Sequence, residues 1–546
     1  MKKDIKTLCL SGVFPYIFLF LLVFLAYSKA IDFGLTMLDD YNLIFAGEKN
    51  YSSKTIIIDA FKNDVLFSMG VSTPFYRPVL TLSFALDNKI AGNSEVFAHF
   101  TNIMLHAFSV MMIFFFLRRY VFDAGFSFCA AAIFAVHPVT IQTVAWIPGR
   151  NDSLFFLFFL AALIFLAEYI KNGKTSSLYL HIIFFLPGLF VKESGIVIPF
   201  VFVLYYLTHK HLSARKLPFF LYPAWFFGAA GFLILRKIVI PSSVFFQELL
   251  SYIMKENILS FFDYYSAVLF FRASVAYSTE TAIVLLGLAA LALLIFFTFY
   301  GSDRGRKMRM VFYLISPLLF LSPNFIIVRQ FFHGNRMYIP LFAVIVTVFS
   351  FFNYILRNKN TAKKIVLGLF IILICFSSLQ TYAKTEFFRD SLSFWDEIVK
   401  NNENISITAH VFHVNALIEK GYFKEALEEA VYVSELSNFS NNYMTLNLAA
   451  AFMLNDAYDN AAQFYTFLLS KNVDHAMKVK ALTYLFIIFD KTGNKEYAGY
   501  YLEELRTETG FGPEKLSTYI TMSKNFFEKR KRMNKNGIYT AHSGEK

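Results

Sequence analysis

The chain has 546 residues, of which 56% are hydrophobic, 19% aromatic and 16% charged, and its mean hydropathy is +0.49. A soluble globular protein carries charge on about a quarter of its residues, so these figures exclude a soluble enzyme. The formal net charge of +12 does not point to nucleic acid, because the basic residues sit in brief clusters between apolar runs, where they orient a membrane protein. Cys9, Cys129 and Cys375 lie in or beside apolar runs, with neither metal-ligand spacing nor a disulfide framework.

The apolar residues fall in runs of about 20, the length of a helix that crosses a bilayer. A first span is predicted at roughly 12–30; it reads as a retained helix, since no convincing cleavage site follows it. A long polar loop, 31–96, comes next and holds Asp32, Asp39, Asp40, Asp59, Asp64 and Asp87. Further spans are predicted near 97–117, 125–145, 152–170, 178–194, 195–209, 218–240, 280–300, 310–330, 338–356 and 364–382, which makes eleven. A stretch at 255–273 is apolar but broken by charge and reads as an interfacial or re-entrant helix.

With eleven spans the basic clusters all fall on one side. They are the N-terminal lysines, Arg118-Arg119, Lys171 with Lys174, Lys210 with Arg215-Lys216, Arg304 to Arg309, and Arg357 to Lys364. The positive-inside rule puts that side in the cytoplasm and turns the first loop and the C-terminal domain outward, to the periplasm or cell exterior. After Tyr382 charge becomes frequent and amphipathic helical periodicity sets in, with helices predicted at 407–419, 422–436, 443–454, 458–469, 475–489 and 496–506. The rhythm of Gly421-Tyr422 and Ala426 returns near Tyr458 and Ala461-Ala462, close to the tetratricopeptide period. The expected architecture is therefore all-α: a polytopic membrane domain over 1–384, a tetratricopeptide-like solenoid over 385–528, and a disordered basic tail over 529–546.

Ionisable groups at membrane depth are costly and usually purposeful. Asp39-Asp40 follow the first span and can orient a hydroxyl, take its proton or hold a divalent cation. Phe75-Tyr76-Arg77-Pro78 presents an arginine fixed by proline. Asn102 and His106 share a helix face. His137-Pro138 bends the third span, and Trp146 precedes a tight turn at Gly149-Arg150 in which Asn151 or Asp152 caps the fourth span. Lys192-Glu193 and Asn335-Arg336-Met337-Tyr338 complete the set. Arg77, Arg150, Lys192 and Arg336 thus put four cations on the outer face, where a lipid phosphate or diphosphate is the fitting ligand.

In this order the motifs resemble the transmembrane and tetratricopeptide repeat proteins, members of the protein O-mannosyltransferase-like GT-C glycosyltransferases. The resemblance covers about residues 10 to 500. It implies that Asp39 or Asp40 is the general base for an acceptor hydroxyl. It also implies a polyprenyl-phosphate sugar donor whose phosphate is held by Arg77, Arg150, Lys192 and Arg336, supported by Tyr76, His106, His137, Trp146, Asp152, Glu193 and Tyr338. The solenoid would bind an acceptor polypeptide, a glycan or a protein partner. The chain departs from the animal members in its shorter repeat array and in Gly334-Asn335 before Arg336, where an acidic residue is more usual.

The expectation is a glycosyltransferase of a bacterial inner membrane, with no certain cofactor, a divalent cation left open, and no nucleic acid. Two rivals remain: a lipid-linked glycan ligase or polymerase, and a non-catalytic scaffold for envelope assembly.

Overall fold

The computed structural model describes residues 12–36, 39–45, 51, 53–67, 73–210, 215–240, 255–272, 281–301, 303–323, 334–400 and 406–535. Cys9, the N-terminal lysines and residues 536–546 of the expected tail lie outside them. The described chain divides into two compact units, Met1–Asp390 and Ser391–Lys546.

Each predicted span overlaps a helix, with 324–330 of the span at 310–330 lying outside the described residues: α1 Phe14–Tyr27, α5 Glu95–Tyr120, α6 Ala124–Val136 with α7 Ile141–Ala145, α8 Arg150–Asn172, α9 Ser176–Leu189, α10 Ile198–His209, α11 Leu221–Val239, α13 Thr281–Phe299, α14 Arg304–Leu321, α15 Tyr338–Ile355 and α16 Asn360–Lys384. Between them lie α2 Asp40–Ile44, α3 Ile56–Lys62 and α4 Pro78–Ala91 in the first loop, and α12 Lys255–Leu269 in the apolar stretch broken by charge. Among the described residues seven helices are long and apolar enough to cross a membrane, or eight if the bent pair α6 and Pro138–Ala145 counts as one span. The stretches containing α9 and α10 are apolar but shorter, and α14 carries Arg304, Arg306, Lys307 and Arg309 in its first two turns.

Local chemistry sets these boundaries. Ser94 caps α5 by accepting from the amide of Phe97 at 3.1 Å, and Asp123 caps α6 through the amides of Gly125 and Phe126. The expected break at His137-Pro138 is a 49° bend. There the proline cannot donate to the preceding turn, and His137 Nδ1 accepts the amide of Val139 at 3.2 Å. Helix α14 begins earlier than the predicted span, at Arg304, because Asp303 caps it.

Water supplies no hydrophobic drive inside a bilayer, so close packing and interhelical hydrogen bonds carry the bundle. Phe134, Phe156, Tyr338 and Phe342 interlock with ring centroids 5.0–5.8 Å apart. On the outside of the unit, α11 and α16 leave large apolar side chains such as Phe226, Phe227, Ile372 and Leu379 exposed, as lipid-facing surfaces do.

The first loop is folded rather than open. Leu43, Ile44, Tyr51, Val65, Leu80, Phe84 and Ala85 form a small core that closes on Ala98 and Ile147.

The second unit comprises α17 Ser391–Lys400, α18 Ile407–Lys420, α19 Phe423–Leu436, α20 Asn442–Leu454, α21 Tyr458–Leu469, α22 His475–Lys491, α23 Lys495–Thr509 and α24 Pro513–Lys535. Consecutive helices pack on one another from α17 to α23. Gly421 ends α18 at φ +85°, a conformation that costs glycine nothing, while Ala426, Ala430 and Ala461 let neighbouring helices nest. Helix α24 runs through 529–535, so the first part of the expected disordered tail is helical.

Candidate functional site

The two adjacent aspartates, alike in sequence, are opposites in the fold. Asp40 is buried, and its Oδ2 accepts the amide and hydroxyl of Thr36 at 2.6 and 2.9 Å. Oδ1 accepts the amide of Tyr41 at 3.1 Å. Thr36 in turn accepts Trp146 Nε1 at 3.1 Å, so Asp40 fastens the first loop to the turn before α8. Burial raises the Asp40 carboxyl above its ordinary value, and the donated hydrogen bonds oppose that shift.

Asp39 begins α2 without capping it and reaches solvent. Crowding by surrounding protein raises its carboxyl too, with the nearby positive charge of Arg77 opposing. Among the described residues its carboxylate makes no hydrogen bond or ion pair.

Arg77 grips Glu193 through two nitrogens, Nε at 2.9 Å and Nη2 at 2.7 Å from Oε2. Its guanidinium lies 4.3 Å from the centre of the Phe75 ring. Glu193 also accepts the amide of Tyr76 at 3.0 Å, and the buried Tyr76 anchors its hydroxyl on the Phe61 carbonyl at 2.9 Å. The Tyr-Arg-Pro motif and the Lys-Glu motif are therefore one clamp.

Beside it Lys192 Nζ donates to Asp152 Oδ1 at 2.6 Å, and Asn335 Nδ2 donates to Asp152 Oδ2 at 2.7 Å. Arg77 and Arg336 stand close enough to repel the Lys192 charge. Arg77, Lys192 and Arg336 thus form one cationic group on the rim above α8, α10 and α15.

Arg150 does not join them. It is 0% exposed: Nη2 lies 2.6 Å from Asp87 Oδ2 and donates to the Ala98 carbonyl at 3.0 Å, and Nε donates to Asn102 Oδ1 at 2.8 Å. Phe84 covers the guanidinium face at 4.1 Å. The structure places Arg150, expected at a donor phosphate, in the interior and away from the rim group. Its donors already serve protein acceptors, and it braces the first loop against α5 and α8.

Asp152 and Asn151 do not cap α8 either. The cap position is Gly149, with no side-chain cap bond, and Asp152 serves Lys192 and Asn335 instead. Gly149 is required by space, since a Cβ there would stand 2.5 Å from the Gln142 carbonyl oxygen.

Two supporting residues lie deeper. His106 donates from Nε2 to the Ala135 carbonyl at 2.9 Å, which leaves Nδ1 to accept the Tyr338 hydroxyl at 2.7 Å. His137 donates from Nε2 to the Val268 carbonyl at 2.9 Å, tying the bend to α12. Both histidines and Tyr338 are buried structural ties rather than members of the rim group. Sequence reasoning missed Thr36, whose only signal is its position four residues before Asp40. It quoted Asn335 but gave it no partner. Among the described residues no three His, Cys, Asp or Glu side chains gather as a metal-ligand group.

Residues 73–235 match the family model of dolichyl-phosphate-mannose-protein mannosyltransferases. This stretch contains Arg77, Arg150, Asp152, Lys192 and Glu193. Protein O-mannosyl-transferase TMTC1 of Mus musculus is 33% identical over 149 residues, 25% of this chain and 16% of that protein. TMTC2 of Homo sapiens is 36% identical over 118 residues, 21% of this chain and 14% of that protein. TMTC4 of Homo sapiens is 29% identical over 226 residues, 36% of this chain and 30% of that protein. The alignments therefore span less than a third of each of these relatives. No solved structure matches. Over residues 73–235 the chain is thus similar to the dolichyl-phosphate-mannose-protein mannosyltransferases.

Proposed function

We propose that the chain is a membrane glycosyltransferase that moves a sugar from a polyprenyl-phosphate donor to a hydroxyl of a protein acceptor on the outer face of a bacterial inner membrane. The observation that carries this reading is the Asp39 carboxylate, exposed, raised by its surroundings and without a hydrogen-bond partner among the described residues, near the cation Arg77.

In this reading Asp39 takes the proton of the acceptor hydroxyl. The acceptor oxygen attacks the anomeric carbon, and the bond to the donor phosphate breaks with its electrons going to the phosphate. Lys192, Arg336 and Arg77 receive that growing negative charge, the kind of electrostatic help that is strongest in a water-poor site. Asp40 and Arg150 hold the loop that carries Asp39. An apolar groove of about 530 Å³, lined by Phe108, Met112, Phe115, Leu154, Leu157 and Phe158, begins one turn below Arg150 and suits a polyprenyl chain.

The activity for which the relatives are named, protein O-mannosyl transfer, favours a protein acceptor. The helical repeats of the second unit are the surface we assign to that acceptor or to a partner, on the periplasmic side. Mass spectrometry of periplasmic proteins and surface glycans tests this reading in cells with the wild-type chain, with Asp39→Asn at the wild-type protein level, or with none. A glycan present with the wild type and absent in the other two supports it; one that persists in Asp39→Asn contradicts it.

A further inference from the structure

A second cavity lies at the opposite end of the bundle from Asp39. It has a volume of about 530 Å³ and is built from the C-terminal ends of α5, α8, α10 and α15 and the N-terminal end of α14. Four cations line it, Lys171, Arg306, Arg309 and Arg357, against one carboxylate, Asp303. Apolar side chains such as Phe122, Ile170 and Met310 share the wall.

Basic residues at this end are what the positive-inside rule demands, and that rule alone explains charge facing lipid headgroups. It does not explain a cavity or the groups buried in its wall. Tyr313 lines the cavity at 2% exposure, and its hydroxyl has no hydrogen-bond partner among the described residues. Arg306 is 5% exposed; it donates through Nη1 to the Tyr300 carbonyl at 3.0 Å and through Nη2 to the Phe297 carbonyl at 2.5 Å, while its Nε has no partner among the described residues. Buried donors left unmade are costly, and a ligand that accepts hydrogen bonds relieves that cost.

We propose that this cavity is a binding site for a phosphate group, separate from the outer site and independent of the glycosyltransferase reading. An anionic phosphate matches the excess of cations. It can accept from the Tyr313 hydroxyl and from arginine, whose planar fork suits phosphate oxygens. The mixed polar and apolar wall fits the phosphodiester of an anionic lipid of the same leaflet; free phosphate has the same chemistry.

The test uses the full chain in lipid discs of phosphatidylcholine with a minor share of phosphatidylglycerol, with retained lipid read by native mass spectrometry after transfer to detergent. A parallel arm adds inorganic phosphate alone to detergent-purified chain and reads the thermal shift. Preferential retention of phosphatidylglycerol assigns the site to a lipid, and a thermal shift with phosphate assigns it to a phosphate from solution. Either supports the proposal when Tyr313→Phe weakens it about tenfold, the effect of losing one hydrogen bond to a charged group. The double variant Arg309→Gln, Arg357→Gln should abolish it. Size-exclusion profiles show that the variants are folded. No preference for the anionic lipid together with no shift by phosphate overturns the proposal, as does equal binding by folded wild-type and variant chains.

Discussion

Arg150 Nη2 lies 2.6 Å from Asp87 Oδ2, and the guanidinium is wholly buried. This pair joins the first loop to the start of α8, and Arg150 is further held by Asn102 and the Ala98 carbonyl. Removing one member strands the other charge, which costs about 3–5 kcal/mol when the pair is buried. Asp87→Ala and Arg150→Met are each expected to lower the unfolding temperature of the detergent-purified chain. Arg150→Lys should lower it too, because an ammonium group cannot reach Asp87, Asn102 and the Ala98 carbonyl together. An unchanged unfolding temperature with weakened donor binding would return Arg150 to the phosphate.

Arg77 and Glu193 make a bidentate pair that is only partly open to solvent, with side chains 14% and 25% exposed. A double-mutant cycle with Arg77→Ala and Glu193→Ala should show a coupling of about 1–3 kcal/mol in donor binding or stability. Additive losses would mean that the two residues act independently.

The pH dependence follows from Asp39. Its carboxyl is raised by the protein crowded around it, with Arg77 opposing, and a base works only when deprotonated. Activity is therefore lost as pH falls through a value higher than that of an ordinary aspartate, and is regained above it. The acid limb of kcat/KM against pH reads this directly. A limb at the ordinary aspartate value would show that the carboxylate in use is not crowded as Asp39 is.

Orientation has its own check. A reporter fused after Lys384 is expected to be active only outside the cytoplasm; activity inside would reverse the assignment of both faces.

Much of this fold was legible in sequence because bilayer length, helical period and basic clusters are local signals. The predicted spans overlap helices, although among the described residues seven, or eight with the bent pair, and not eleven are long and apolar enough to cross a membrane; the bend at His137-Pro138 follows from the chemistry of proline. Roles within the site were less legible, since they depend on partners far apart in the chain. Arg150 and Arg77 look alike as outward arginines, yet one meets Asp87 and Asn102 in a dry interior while the other faces the rim beside Glu193, 116 residues away. Asp39 and Asp40 are neighbours, and only the approach of Thr36 and Trp146 separates them. Asp152 looked like a helix cap; its engagement with Lys192 and Asn335 depends on three helix ends meeting.

The most direct test is sugar transfer by the purified full chain with Asp39→Asn and Asp40→Asn compared singly, each with its unfolding temperature. The account predicts that Asp39→Asn lowers the transfer rate by about 10²–10⁴-fold, the range for loss of a general base, while leaving the unfolding temperature unchanged. Asp40→Asn should lower the unfolding temperature, because an amide cannot accept all three donors from Thr36 and Tyr41. Full transfer by a stable Asp39→Asn chain would contradict the account.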